Sequence, residues 1–235
     1  MIDVHCHYDM AESPEKYISE NEKQGIITIG MTNLPSHFQI GMPHVKKYKY
    51  IRLAIGLHPL QADVHEKQYL DFQRLVNETS YIGEVGLDFS PEGYATKRIQ
   101  IKSFKFVLNC IKDKPKIISL HSRWAERETL EMLIANKIDN AIFHWYSGSL
   151  GILRKIVASR YFVSINSAMI QSENGKKIIS EIPKELALTE TDFPHIKQSN
   201  ISLVIQYLSS IWGISTIEVE KMIDNNFKGL VKKIS

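Results

Sequence analysis

Eight times along this chain a short apolar run rich in β-branched residues gives way to a longer stretch with helical spacing, and that alternation implies a parallel sheet covered by helices. The strand-like runs fall at residues 2–5, 26–31, 51–55, 81–85, 116–121, 141–144, 162–165 and 186–192. Helical patterns follow at 14–24, from 35 through 45, and at 67–77, 96–111, 125–135, 150–158 and 175–182, with two more at 199–211 and 216–231. Eight such units in 235 residues match the α/β architecture of a (β/α)8 TIM barrel, which typically takes roughly 250 residues. Local signals agree at the first helix, where Ser13 reads as the N-cap, Pro14 as the first helical residue and Gly25 as the stop. No linker, composition break or low-complexity tract interrupts the pattern, so a single domain over 1–235 is expected.

Composition narrows the partners. Lys and Arg total 29 against 26 Asp and Glu, a net charge of +3, which is too mild to announce a polyanion partner and permits one only through a local groove. Lys46, Lys47 and Lys49, then Lys112, Lys114 and Lys116, then Lys176 and Lys177 read most simply as solvated surface. Cys6 and Cys110 make no disulfide framework and no CxxC knuckle, which suits a reducing compartment. The N-terminus lacks the basic start and apolar run of a signal peptide, and no apolar stretch approaches the ~20 residues that span a bilayer. The expectation is a cytoplasmic, soluble protein with no membrane contact.

The first strand carries the chemistry. In His5-Cys6-His7 the alternation of a strand puts both imidazoles on one face and Cys6 on the other, toward the helical layer. Such a pair is either buried hydrogen-bonded structure or two ligands of a divalent metal that needs more donors from elsewhere. Those donors exist. Glu84 stands at the end of the fourth run, His121 of the fifth, His144 of the sixth and Asp192 of the eighth. The carboxyl ends of barrel strands share one face, where the loops build the active site. Four histidines and two carboxylates suffice for two divalent ions, Zn, Mg or Mn, with one carboxylate bridging, a set that hydrolyses phosphoesters or amides with metal-activated water. No lysine stands near Glu84 to form the carboxylated bridge that many binuclear barrels use. Around this set, Arg123 is either an anion holder or a surface salt bridge. His58 either donates to a phosphate oxygen or packs under a loop. Trp145 and Tyr146 either stack on a base or cover the barrel mouth. His37, His44 and His65 read as surface residues, and His195 is left open.

Taken together, His5-Cys6-His7, Gly56-Leu57-His58-Pro59, Gly83-Glu84-Val85-Gly86-Leu87-Asp88, His121-Ser122-Arg123, His144-Trp145-Tyr146-Ser147-Gly148, Thr189-Glu190-Thr191-Asp192-Phe193-Pro194 and Asn226-Phe227 resemble the TatD family of metal-dependent deoxyribonucleases in the amidohydrolase superfamily. The resemblance covers nearly the whole chain. It implies a nuclease with His5, His7, Glu84, His121, His144 and Asp192 on the metals, Glu84 bridging, Asp192 and Glu84 catalytic, and DNA as substrate. The segments 87–92, 144–149 and 167–169 further resemble the TatD-like component of the Qat anti-phage defence system, which implies an ATPase, a QueC-like enzyme and a small subunit as partners. The loops after Asp88 and Asp192 are shorter than is usual in the family. Two alternatives therefore stand beside the DNase: a hydrolase of a modified base, nucleotide or amide, and a mainly scaffolding subunit.

Overall fold

The computed structural model describes residues 1–234. In chain order it runs β1 (Ile2–Cys6), α1 (Pro14–Gln24), β2 (Ile27–Gly30), α2 (Pro35–Val45), β3 (Ile51–Leu53), β4 (Ile55–Leu57), α3 (His65–Leu75), β5 (Tyr81–Gly86), α4 (Lys97–Ile111) and β6 (Ile117–His121). There follow α5 (Glu126–Ala135), β7 (Ala141–Phe143), α6 (Leu150–Ala158), β8 (Phe162–Ile165), α7 (Ser167–Gln171), α8 (Glu173–Glu181), β9 (Ala187–Thr189), α9 (Ile201–Trp212) and α10 (Thr216–Lys232). Every paired strand is parallel, in the orders β1-β2-β3 and β4-β5-β6-β7-β8-β9. β3 and β4 are the two halves of one barrel strand, so the eight expected strand positions are all occupied and the fold is the (β/α)8 barrel. No helix among the described residues is long and apolar enough to cross a membrane.

The break between β3 and β4 has a cause. Thr32, just past β2, inserts its hydroxyl at Ala54, donating to the Ala54 carbonyl at 2.9 Å and accepting from the Gly56 N–H at 3.1 Å. Its own N–H and C=O reach further, to the Gly83 carbonyl and the Glu84 N–H, each at 3.2 Å. Only glycine fits beneath it, because a Cβ on Gly56 would lie 1.6 Å from the Thr32 oxygen. One buried threonine thus ties three strand positions together and fixes the backbone of Glu84.

Two register shifts aim the site. Along β1, Asp3 pairs with Thr28 but Cys6 with Gly30, so β1 holds an extra residue at 4–5. Along β5, Ile82 and Val85 pair with Ile55 and Leu57 on one side and with Ile118 and Leu120 on the other, an extra residue at 83–84 against both neighbours. A bulge of this kind breaks strict alternation and redirects a side chain. Here the shifts fall at His5 and Glu84.

The barrel closes where β9 meets β1. The Thr189 hydroxyl donates to the Ile2 carbonyl, and the Asp192 N–H to the His5 carbonyl at 2.9 Å. Asp3 accepts from the Thr191 N–H at 2.9 Å and hydroxyl at 2.6 Å. Burial pushes the Asp3 carboxyl up to about 7 despite these bonds.

Outside, the helices pack by amphipathic faces, as Phe104, Val107, Leu108 and Ile111 do along α4. Gly25 ends α1 at φ 66° as expected, whereas Ser13 makes no side-chain cap and Pro14 alone marks the start. The eighth strand is shorter than the apolar run, ending at Thr189 because the following residues turn to bond β1.

Thr32→Val keeps the shape but strands the Gly56 N–H and the Ala54 carbonyl. It is expected to cost about 2 kcal/mol, read as a lower urea midpoint at unchanged slope; an unaltered midpoint would show that the hydroxyl does not hold the strand break.

Candidate metal centre

Glu84 sits inside the barrel mouth within a ring of imidazoles. One carboxylate oxygen, Oε2, lies 2.9 Å from His7 Nε2, 3.2 Å from His58 Nε2 and 3.5 Å from His5 Nε2. The other, Oε1, lies 2.6 Å from His121 Nδ1 and 2.9 Å from His144 Nε2. Asp192 closes the far side, its Oδ1 3.8 Å from His5 Nε2. All six residues that the sequence places at strand ends therefore converge, in overlapping groups whose donor atoms lie within 4.8 Å of one another: His5, His144 and Asp192; His5, His7 and Glu84; and His58, Glu84 and His121. Glu84 belongs to two of these groups.

The electrostatics follow from a negative charge out of water. Burial alone would raise the Glu84 carboxyl, but His58, His144 and His121 around it hold it well below its ordinary value. Burial opposes charge on His121 and His144, yet Glu84 outweighs it and lifts both above the usual imidazole range, helped by Asp88 on His121 and Glu190 on His144. His5 goes the other way. Burial, with His144 stacked on it at 3.8 Å between centroids, pushes His5 down to about 3, so this imidazole is neutral. Its Nδ1 lies 2.8 Å from the Ser119 hydroxyl. The tautomer that donates there leaves the Nε2 lone pair facing Glu84 and Asp192.

Three buried ligand-type atoms have no hydrogen-bond partner among the described residues: His5 Nε2, His7 Nδ1 and Asp192 Oδ1. Buried polar atoms are as a rule paired, and imidazole nitrogen with carboxylate oxygen is the donor set of Zn, Mn and related ions. The residues present fit a divalent metal on both grounds. A cation beside Glu84 also meets the demand for positive charge that the raised histidines express.

Outer residues orient this ring. Asp88 accepts from His121 Nε2 at 2.7 Å and from the Ser90 N–H at 2.9 Å, turning His121 Nδ1 toward Glu84. Glu190 is fully buried between Ser164, Asn166 and the Trp145 N–H, with His144 Nδ1 3.6 Å away. Such partners fix tautomers and ring orientation at metal sites. Sequence reasoning gave Asp88, Glu190, Ser119 and Asp3 no role. The signal for two of them was present, since Asp3 stands two residues before His5 and Glu190 two before Asp192.

Above the ring opens a cleft of about 510 Å³ lined by Arg123, Trp145, His58, Ser122, Ser147 and His195 among others. Arg123 reaches it while pairing with Glu92 at 2.8 Å, both side chains solvated. Trp145 stands at the rim, whereas Tyr146 is in the core with its hydroxyl donating to the Ser149 carbonyl at 2.7 Å. His58 accepts the Leu60 N–H at Nδ1, 3.2 Å, which makes Nε2 the N–H nitrogen, 3.2 Å from Glu84 Oε2. His37 and His44 are exposed as expected. His65 is not. It opens α3 two residues earlier than the helical spacing indicates and is buried, its Nε2 2.9 Å from the His58 carbonyl.

With this geometry in view, comparison with known proteins gives one consistent result. The TatD related DNase family matches residues 2–232. An uncharacterized metal-dependent hydrolase of Methanocaldococcus jannaschii is 28% identical over 240 residues, covering 96% of this chain and 94% of its own. Deoxyribonuclease TATDN3 of Homo sapiens is 25% identical over 261 residues, covering 100% of this chain and 95% of its own. Among solved structures, the TatD homologue YJJV of Escherichia coli superposes with a TM-score of 0.85 at 21% identity, over 98% of this chain and 97% of that one. The chain belongs to the TatD family of metal-dependent hydrolases.

Burial pushes His65 down from 6.5 to about 4, so the folded chain keeps it neutral where the unfolded chain would protonate it. The stability it confers is complete above pH 6.5 and is lost as pH falls from there through 4. His65→Gln removes that dependence. The stability difference between parent and variant is expected to fall by about 3 kcal/mol across this window, measured by urea unfolding at several pH values; a difference that stays flat with pH would contradict it.

Proposed function

We propose that this chain is a deoxyribonuclease that hydrolyses phosphodiester bonds, with residues 1–235 working as one unit. The observation that carries the reading is Glu84, a buried carboxylate shared between two histidine groups, under an open cleft that presents a guanidinium and an indole at its rim. His5, His7, Glu84 and Asp192 would hold one divalent ion, and Glu84, His121 and His144 a second. Divalent ions there supply Lewis acidity, activating a water and neutralising charge on the phosphoryl oxygens.

The chain's own residues do the rest. Asp192 lines the cleft, and its buried Oδ1 has no hydrogen-bond partner among the described residues, so the carboxylate is free to orient the attacking water and take its proton. The water oxygen bonds to phosphorus as the opposite P–O ester bond breaks, and the departing oxygen takes up a proton from solvent to leave as the alcohol. Arg123 meets the non-bridging oxygens of the phosphodiester with its planar fork. Its present pairing with Glu92 is a solvated one, worth little, so exchange for a phosphate is cheap. His58 directs its Nε2–H at the same centre, and Trp145 offers a face on which a base can stack. A cleft of about 510 Å³ holds a nucleotide unit. Two relatives support DNA as substrate through their names, human deoxyribonuclease TATDN3 and deoxyribonuclease Tat-D of Schizosaccharomyces pombe.

Asp192→Asn and Glu84→Ala are expected to lower divalent-metal-dependent cleavage of a labelled single-stranded oligodeoxynucleotide by about 10² to 10⁴, with circular dichroism unchanged. Full activity in Asp192→Asn would remove the proposed base. Running the same enzyme against nucleobase amides separates this reading from hydrolysis of a modified base or nucleotide.

The wider setting we propose is cytoplasmic anti-phage defence beside an ATPase, a QueC-like enzyme and a small subunit. Support comes from the sequence segments 87–92, 144–149 and 167–169. Phage plating on cells carrying the reconstituted system is expected to show protection lost with His5→Ala plus His7→Ala; protection retained would favour a scaffolding role.

A further inference from the structure

One imidazole at the mouth has no task in the scheme above. His195 follows the eighth strand in Asp192-Phe193-Pro194-His195, and the loop that carries it is tied down. The His7 N–H donates to the Phe193 carbonyl at 2.6 Å, the Asp192 N–H to the His5 carbonyl at 2.9 Å and the Ile196 N–H to the Asp192 carbonyl at 3.1 Å. These bonds fold the loop back over β1 and set the His195 ring edge-on to His7, 5.0 Å between centroids. Ligand atoms of His7, Asp192 and His195 lie within 4.8 Å of one another, a group that shares His7 and Asp192 with those around His5 and adds His195 as its one new member.

Two further observations point the same way. Asp192 lines the cleft and its buried Oδ1 has no hydrogen-bond partner among the described residues; His7 Nδ1 is likewise buried and unpaired. His195 is itself exposed and lines the cleft, so its ring reaches the centre from the solvent side. Exposed histidines on loops are common. One held by backbone bonds over a buried imidazole and a buried, unpaired carboxylate is a different object, because the three together are a two-histidine, one-carboxylate donor set with open positions toward solvent.

We propose that His195 is a further metal ligand, which joins His7 and Asp192 on the solvent side of the centre and biases that position toward a borderline transition ion such as Zn²⁺ over Mg²⁺. The inference rests on the metal-dependent reading of the centre. Its chemistry is the preference of ions for donors: a neutral imidazole adds affinity for Zn, Fe or Co, and adds little for Mg, which favours oxygen and keeps its waters. A replaceable donor at the rim also leaves the Glu84 groups untouched, so the two parts of the centre can be tested separately.

The test is equilibrium titration of the metal-free full-length protein with Zn²⁺ and, separately, Mg²⁺, for the parent, His195→Gln and His195→Phe. The Phe variant keeps a ring against His7 and removes the donor. Both variants are expected to bind Zn²⁺ about tenfold or more weakly, to bind Mg²⁺ as the parent does, and to give an altered visible spectrum with Co²⁺, while the metal-free proteins melt together. Unchanged Zn²⁺ affinity and an unchanged Co²⁺ spectrum would overturn the inference and leave the Glu84-centred sites standing. Equal losses for Zn²⁺ and Mg²⁺ would overturn it too, by showing no donor preference. A parent that binds no divalent ion would sink this inference together with the metal-dependent reading.

Discussion

A carboxylate held out of water needs compensating charge, and Glu84 is the point at which this fold meets that requirement. Left alone, such a group costs several kcal/mol and is relieved by protonation. Here five imidazoles surround it, from β1 and the residue after it, β6, the turn after β4 and the end of β7, and three of them, His58, His144 and His121, keep it ionised. Each of those elements must be in place for the charge to be tolerated, so the site reports on the whole upper half of the barrel. The histidines also set a limit on their own contribution. His5 stays neutral, while His121 and His144 carry charge only through Glu84 and its outer partners Asp88 and Glu190.

Precision at Glu84 comes from departures from regularity. A strictly alternating β5 would not have the extra residue at 83–84, and a continuous third strand would leave no opening for Thr32. The inserted threonine bonds both the interrupted strand and the Glu84 backbone, which couples barrel integrity to the position of one carboxylate. At the closing seam Asp3 does the equivalent for Asp192, gripping Thr191 so that the neighbouring residue bonds the His5 carbonyl. Stability and chemistry therefore share residues, and substitutions below the donors act on the site through geometry.

Much of this was legible in the sequence because it depends on periodicity. The alternation of apolar runs and helical spacing gave the barrel, and the barrel's one-sided arrangement of strand ends brought His5, His7, Glu84, His121, His144 and Asp192 together. What could not be read depends on contacts across long separations. Ser119 is 114 residues from His5, and nothing local marks it as that histidine's partner. The shifts at His5 and Glu84 escape a reading that assumes regular ladders. His65 looked like surface because its helix begins earlier than its apolar spacing, and Tyr146 turned inward while Trp145 stayed at the rim.

The centre and the cleft divide the labour. Buried histidines and carboxylates hold charge in fixed positions, while Arg123 and Trp145 line the open cleft above them, Arg123 in a solvated pair with Glu92. The most direct test of the central claim is anomalous diffraction from crystals of the full-length protein soaked with Zn²⁺. The account predicts ion peaks on either side of Glu84, with Oε1 and Oε2 each at about 2.0–2.2 Å from an ion. Zinc found elsewhere on the chain, with the Glu84 carboxylate still bound only by its histidines, would contradict it.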